Sequence, residues 1–260
     1  MTNSKLDVVL FQMAVEYGKS EENFSKIDKF LKSRKIKSGS LLVLPELFLT
    51  GYDKIEIEKT AFVDENSIII NKLISVAKEH NITIYGSIAE KVGNNYSNTA
   101  VFITKEGLKE RYRKIHLFGP MGEKELFNQG DSIKTINLKG NIFGLSICYD
   151  LRFPMMYQKM MNSNAGIILV IAEWPITRVN HWSALLRARA IENQAYVIGV
   201  NRVGSDPDYT YGGHSAIYSP YGDTVCEIAN SEEDYVVCEI DLSLISKFRS
   251  QFDVRKDRLL

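Results

Sequence analysis

The chain has 260 residues, of which 45% are hydrophobic and 25% are charged, values typical of a folded globular protein. Its 32 basic and 32 acidic side chains give a formal net charge of zero, so no overall field attracts nucleic acid or an acidic lipid surface. Three cysteines are too few for a disulfide framework and no apolar run is long enough to cross a bilayer, so we expect a cytoplasmic protein without a nucleic-acid or membrane partner.

The hydrophobic periodicity predicts two rounds of one pattern, in which strands alternate with helices and end in a pair of strands. The first round comprises a strand over Val8–Met13, a helix near Glu21–Arg34, a strand over Leu41–Leu44, a helix near Ile68–His80, and strands over Thr83–Glu90 and Thr99–Thr104. The second comprises a strand ending at Cys148, a helix near Pro154–Met161, a strand over Gly166–Ala172, a helix near His181–Gln194, and strands over Tyr196–Arg202 and Ser215–Ser219.

This order predicts an α/β protein with one mixed sheet in each half, covered by helices on one face only. The bare faces of the two sheets can then pack against each other, which gives a four-layer αββα sandwich. A single doubly wound sheet is the alternative, but the paired strands that end each round fit it less well. No linker divides the halves, so we expect residues 1–260 to form a single domain.

Glu46 is the first candidate functional residue in chain order. It follows the apolar segment 41–44 and Pro45, which places it at the carboxyl end of a strand. Ligands in open α/β sheets bind outside these ends, so a carboxylate here is available for acid-base chemistry. A solvated carboxylate at the strand's end is the simpler interpretation for Glu46 taken alone.

Lys114 lies in a segment, residues 110–118, where apolar and basic residues alternate as in a strand that leads into a loop. Taken alone it is one more surface lysine.

Cys148 ends the apolar run 142–147 and comes just before a turn into the helix that begins near Pro154. N–H groups at a helix start favour a thiolate and can bind an oxyanion. Free cysteines are more often buried packing residues. Whether Cys148 is catalytic or only packs therefore depends on the residues that lie beside it. Together with Glu46 and Lys114 it supplies a nucleophile, a general base and a cation for an oxyanion, which is what amide hydrolysis by a thiol requires.

Three separated motifs, residues 44–46, 112–118 and 148–154, resemble in the same order the signature regions of the nitrilase, or carbon-nitrogen hydrolase, superfamily. The likeness runs from about Val8 to Ile240. It implies an αββα sandwich, a Glu-Lys-Cys triad and a dimer or larger oligomer, and we expect a homodimer.

The resemblance also implies roles for individual residues. Glu46 would move protons to and from Cys148, and the reaction would pass through a cysteine thioester. Lys114 and the backbone N–H of Tyr149 would hold the oxyanion. Glu123 would orient the lysine, with Glu125 as the rival at this spacing.

A downstream block over residues 173–206 resembles the bacterial omega-amidases, which hydrolyse the terminal amide of 2-oxo acids such as 2-oxoglutaramate. Tyr52, Glu173 and Trp174 are the candidate pocket residues, although a tryptophan before proline is as often a core or interface anchor. Glu173 departs from the pattern, where a neutral residue is common, and an acid facing the pocket would oppose an anionic substrate. Arg152 or Arg202 could meet a substrate carboxylate.

Other functions remain open at this stage. A deaminated glutathione amidase and an N-carbamoyl amine amidohydrolase are the nearest alternatives, and a non-catalytic scaffold on the same fold is an alternative of another class. The four histidines form no metal-binding motif, so we expect no metal and no other cofactor. A cysteine–histidine pair is a further possibility, since His116 or His181 could approach Cys148 in space.

Overall fold

A computed structural model describes residues 4–257 of the chain. The strands are β1 (Lys5–Gln12), β2 (Leu41–Val43), β3 (Thr83–Val92), β4 (Asn95–Thr104), β5 (Gly107–Arg113), β6 (Thr135–Leu138), β7 (Asn141–Ile147), β8 (Ile167–Ala172), β9 (Tyr196–Asn201), β10 (Val203–Ser205), β11 (Thr210–Gly212), β12 (Ala216–Tyr218), β13 (Thr224–Glu227) and β14 (Asp234–Asp241). The α-helices are α1 (Ser20–Ser33), α2 (Lys54–Thr60), α3 (Ile68–His80), α4 (Glu123–Leu126), α5 (Pro154–Asn162), α6 (Val179–Asn193) and α7 (Ser243–Gln251).

Two six-stranded mixed sheets form the centre of the fold. The first has the order β14-β1-β2-β3-β4-β5 and the second the order β13-β12-β9-β8-β7-β6. The strands β1, β2 and β3 are parallel in the first sheet, as are β7, β8 and β9 in the second. Their neighbours on both sides run antiparallel. The two halves therefore repeat one topology, as the two-round pattern predicts.

The inner faces of the two sheets pack on each other. Alternate residues of a strand point to opposite faces, so Val8 and Leu10 of β1 enter the layer between the sheets, where Leu145 of β7 belongs to the same cluster. Tyr85 of β3 crosses this layer, since its hydroxyl accepts from the backbone N–H of Ser146 at 3.1 Å. Burial of this layer is what holds the halves together.

Helices cover the outer faces. Val9 and Phe11 of β1 point away from the inner layer and pack with α1 and α3. On the second sheet, Trp182, Leu186 and Ala190 recur along one side of α6 and are buried against the strands. The predicted αββα sandwich is thus confirmed. No helix among residues 4–257 has the length and apolarity needed to traverse a bilayer.

Some predicted boundaries shift for local reasons. The strand expected to end at Cys148 ends at Ile147, because Cys148 has a φ of +45°, which a strand cannot accommodate. Helix α2 was not predicted, since its alternating isoleucines imitate a strand. Asp53 begins that helix by accepting from the N–H of Glu56 at 2.7 Å, and Ile55 is left 78% exposed.

Strand β14 does not pair with the strand that precedes it along the chain. It follows β13 along the chain, yet β13 belongs to the second sheet and β14 pairs with β1 in the first. The two segments carrying Cys226 and Cys238 are therefore not a hairpin, although both are strands. The crossing ties the end of the second half to the first.

Candidate active site

Glu46 lies in the turn that follows β2 and is fully buried. Its Oε1 accepts from the Tyr52 hydroxyl at 3.0 Å, from Asn98 Nδ2 at 2.7 Å and from Lys114 Nζ at 2.8 Å. Its Oε2 accepts from the backbone N–H of Glu173 at 2.7 Å. Four donors thus surround one carboxylate and satisfy both of its oxygens.

Lys114 follows β5 directly and is 1% exposed. Its Nζ donates to Glu46 Oε1 and also to both oxygens of Glu123, at 2.8 and 2.7 Å. Glu123 starts α4 and is fully buried, whereas Glu125 is exposed. The geometry therefore distinguishes between the two glutamates that the spacing left open, and it is Glu123 that contacts the lysine.

Cys148 opens a short 3-10 helix, Cys148–Arg152, at the end of β7. Its left-handed backbone is a strained conformation for a residue with a side chain, of the kind found at functional sites. The Sγ lies 3.8 Å from the carbonyl oxygen of Glu173, and 7% of the residue is exposed. Tyr149 is the second residue of this helix, where backbone N–H groups have no partner within the helix.

Asp150 ties the cysteine turn to the lysine segment. Its Oδ2 accepts from the N–H of Ile147 at 2.9 Å and from the Tyr112 hydroxyl at 2.7 Å. Its Oδ1 accepts from the backbone N–H of His116 at 3.1 Å and lies 2.8 Å from the ring Nδ1 of the same residue. Because Tyr112 and His116 flank Lys114, this buried carboxylate fixes the nucleophile and the lysine relative to each other.

A pocket with about 300 Å³ of empty space, including its open mouth, leads to Cys148. It is lined by Tyr52, Phe118, Met121, Cys148, Tyr149, Arg152, Glu173, Trp174, Pro175 and Arg178. Arg152 lies over the Trp174 ring at 4.9 Å and Arg178 over the Phe118 ring at 5.4 Å. The pocket thus combines aromatic walls with two guanidinium groups, a combination suited to a small anionic ligand.

Glu173 is fully enclosed and connects the pocket to a second buried cation. Its Oε2 accepts from Arg202 at 3.1 Å, while its Oε1 has no partner within residues 4–257. Burial outweighs the attraction of Arg202 and raises the pKa of Glu173 to about 7. This acid is therefore partly neutral at neutral pH.

The pKa values of the Cys148 thiol and the Lys114 ammonium are both raised, so both groups hold their protons at rest. Burial and the nearby Glu46 carboxylate raise the pKa of Cys148 well above its usual value, which favours the thiol. Burial opposes the charge of Lys114, but the Glu123 and Glu46 carboxylates prevail and raise its pKa well above the usual value. A resting site with a neutral thiol and a charged lysine needs a base to activate the cysteine.

The structure brings Glu46, Lys114 and Glu123 together near Cys148 and Tyr149, whereas Glu125 is exposed and Arg202 is buried in an ion pair with Glu173. Tyr52, Glu173 and Trp174 line the pocket, and their part in substrate binding remains a prediction, as do the catalytic roles. Asn98 and Arg178 were missed, because an asparagine in a strand and an arginine before a helix resemble ordinary surface residues. His116 pairs with Asp150 and His181 with Arg152. Within residues 4–257 no group of three or more His, Cys, Asp or Glu side chains is arranged so that it could hold a metal ion.

The fold and this site define the class of the protein. The carbon-nitrogen hydrolase family model matches residues 8–250, and the chain belongs to this family. It is therefore a hydrolase of carbon–nitrogen bonds.

Three members of the family are similar to this chain over nearly its whole length. A 2-oxoglutaramate amidase of Bacillus subtilis is 38% identical over 97% of this chain and 99% of its own length. The omega-amidase YafV of Yersinia enterocolitica is 31% identical over 98% of this chain and 97% of its own length. A solved CN-hydrolase superfamily protein of Xanthomonas campestris superposes with a TM-score of 0.90 at 28% identity, covering 98% of this chain and 97% of that one.

Proposed function

We propose that the protein is a thiol-dependent amidase that hydrolyses the terminal amide of a small 2-oxo acid, of the 2-oxoglutaramate type, to the acid and ammonia. The observation that carries the proposal is the buried Glu46–Lys114–Glu123 cluster beside Cys148, at the inner end of a pocket with two arginines. The names of the relatives in Bacillus and Yersinia support the substrate class.

In the first half-reaction Glu46 takes the thiol proton while Cys148 Sγ attacks the amide carbon. Lys114 and the N–H of Tyr149 stabilise the oxyanion of the tetrahedral intermediate. Because all three Lys114 N–H groups point at carboxylates at rest, one of them turns to the oxyanion. The intermediate collapses, Glu46 passes its proton to the departing nitrogen, and ammonia leaves a thioester on Cys148.

In the second half-reaction Glu46 takes a proton from water, and the resulting hydroxide attacks the thioester carbon. The same donors hold the second oxyanion. When the carbon–sulfur bond breaks, the acid is released and Glu46 returns the proton to the sulfur of Cys148. Both half-reactions use one carboxyl group as base and then acid, and no net proton remains on the enzyme.

The substrate assignment is tested by ammonia release from 2-oxoglutaramate, deaminated glutathione and an N-carbamoyl amine. We expect the highest kcat/KM for 2-oxoglutaramate. A higher kcat/KM for deaminated glutathione or for the N-carbamoyl amine would change the substrate assignment but leave the proposed thioester chemistry unchanged. Release of no ammonia from any amide would overturn the amidase proposal.

The two pocket arginines are the proposed partners of the substrate carboxylate. Both are half-buried, and the backbone carbonyl of Arg178 is fixed by the Trp174 indole N–H at 2.8 Å. We predict that Arg178→Gln raises KM for 2-oxoglutaramate about tenfold, with kcat nearly unchanged, because a charge-assisted contact in the ground state is lost. Steady-state kinetics on an uncharged amide of similar length is the control.

KM for that neutral amide should not change in the Arg178 variant. Arg187→Gln, on the exposed side of α6, provides a matched variant outside the pocket. An equal rise of KM for the charged and the neutral amide would argue against a carboxylate contact.

Glu173 gives the binding step a pH dependence. Its pKa of about 7 means that it is neutral below this pH and anionic above it. An anionic substrate is then repelled at higher pH, and we predict that KM rises about threefold to tenfold between pH 6 and 8.5. In Glu173→Gln, which keeps an amide oxygen for Arg202, the rise should disappear. Persistence of the rise in this variant would show that another group causes it.

We also propose that residues 1–260 form one catalytic domain, that the protein acts in the cytoplasm, and that it is a homodimer. The core shared by both sheets supports the single domain, and the free cysteines suit a reducing compartment. Met155 and Ile191, on neighbouring helices of one face, are 69% and 51% exposed, which supports a subunit contact. Sedimentation or light scattering would test the dimer, and fractionation of cells the location.

A further inference from the structure

Asn98 lies between the two carboxylates that contact Lys114, and the mechanism above makes no use of its side chain. It belongs to β4 and is fully buried. Its Nδ2 donates to Glu46 Oε1 at 2.7 Å and to Glu123 Oε1 at 3.1 Å. A primary amide carries two N–H groups, so each carboxylate receives one of them.

We propose that Asn98 is a positioning residue of the active site, whose neutral double donor keeps the Glu46 and Glu123 carboxylates together, ionised and aligned on Lys114. This inference rests on the proposed amidase function for its effect on turnover. The effect of Asn98 on the Cys148 thiol is independent of the proposed function, because it can be measured without a substrate.

Charge explains why an amide suits this place. Two buried acids share one ammonium, and burial raises the pKa of Glu123, so the surroundings must stabilise the negative charge if both are to be ionised. A hydroxyl at position 98 would supply one hydrogen-bond donor instead of two. An acid there would add a third carboxyl group to the cluster. An amide supplies two dipoles and leaves the net charge unchanged.

The unpaired oxygen of Asn98 is a second, independent observation. Its Oδ1 is buried and has no partner within the described residues 4–257. Turning the amide over would place this oxygen against two carboxylate oxygens, so the network fixes its orientation. A buried acceptor without a donor lowers the stability of the fold. The two hydrogen bonds that Nδ2 donates offset this cost.

The backbone of Asn98 holds Lys114 as well. The N–H of Lys114 donates to the carbonyl oxygen of Asn98 at 2.9 Å. Substitution of the side chain leaves this bond in place, so a variant tests the amide group alone. During the reaction, the carboxylate that gives up a Lys114 N–H to the oxyanion would retain the one from Asn98.

The test compares Asn98→Leu, which keeps the approximate volume and removes both donors, with Asn98→Ser, which keeps one hydroxyl donor. We expect kcat of the leucine variant to fall about 10- to 100-fold with KM within about twofold, and the serine variant to be intermediate. The acidic limb of the kcat/KM profile should move up by about one pH unit, because carboxylates without these donors take up a proton more readily.

A substrate-free measurement separates this inference from the proposed function. The rate at which iodoacetamide alkylates Cys148, followed by peptide mass spectrometry across pH, reports the same carboxylate pair through its action as base. Its acidic limb should shift as the kinetic one does. Asn95→Leu, at the exposed start of the same strand, is the matched control and should leave both profiles unchanged.

Thermal unfolding verifies that each variant folds. If Asn98→Leu does not fold, the test is made with Asn98→Ser. A lower kcat with unshifted pH profiles would mean that Asn98 does not act through the two carboxylates, and would overturn the proposal. A wild-type protein that hydrolyses no amide, but whose alkylation profile shifts in Asn98→Leu, would refute the amidase function and support the role of Asn98.

Discussion

Replacing Cys148 by alanine is expected to reduce amide hydrolysis by more than about 10⁴-fold, because the atom proposed to form the thioester is removed. Cys148→Ser should be similarly inactive, since a buried hydroxyl gives up its proton far less readily than a thiol. Both variants should remain folded, because alanine and serine are no larger than cysteine and fit the space around Cys148 without displacing its neighbours in the core. Ammonia release and thermal unfolding, measured on the same preparations, check both expectations.

The other cysteines provide matched controls. Cys226→Ala and Cys238→Ala remove half-buried thiols on β13 and β14, away from the pocket, and should retain activity. During turnover, rapid acid quenching and intact-mass measurement should detect an acyl group on the wild type and none on Cys148→Ala. Hydrolysis that survives in Cys148→Ala would exclude the thioester mechanism and favour a function outside this triad.

The second large effect is expected from Lys114→Met, which removes the cation from the cluster and keeps an unbranched side chain of similar length. We expect kcat to fall by about 10³-fold or more, since the proposed oxyanion donor is lost. The free energy of unfolding should fall by about 3–5 kcal/mol, because the Glu46 and Glu123 carboxylates are left buried without their counterion.

The pH dependence of this loss has a definite sign. In the Lys114 variant the folded state favours protonated carboxyls, so it binds more protons than the unfolded chain near neutral pH, and stability falls as pH rises. Denaturant unfolding at pH 5.5 and 8 should therefore show a larger deficit at the higher pH. Lys109→Met, an exposed change on β5, is the control and should unfold like the wild type. A Lys114 variant as stable as the wild type at both values would contradict a charged lysine at rest.

Much of this architecture follows from the sequence alone. Period-two and period-3.6 hydrophobicity locates the strands and helices because each element must bury one face, and the two rounds predict two like sheets. Cys148 comes directly after the apolar strand β7 and Glu46 shortly after the apolar strand β2, so their positions at the carboxyl ends of strands are predictable, whereas Lys114 follows the largely polar strand β5 and is indicated by the family resemblance. The downstream resemblance likewise indicates Glu173 and Trp174 as pocket residues, and Tyr52 is indicated by its place after the Glu46 strand.

Other features depend on which segments the chain brings together. Asn98 becomes part of the site because β4 pairs with β5, which aligns its amide with carboxylates from two distant turns. Arg202 reaches Glu173 at the ends of two neighbouring strands, and β14 pairs with β1 along its whole length, and no local pattern encodes either contact. The reactive residue types and their strand-end positions were therefore determined by the sequence. Which neutral donors and buried counterions surround them was decided only by the tertiary structure, because hydrogen bonds and charge pairs depend on distances in space.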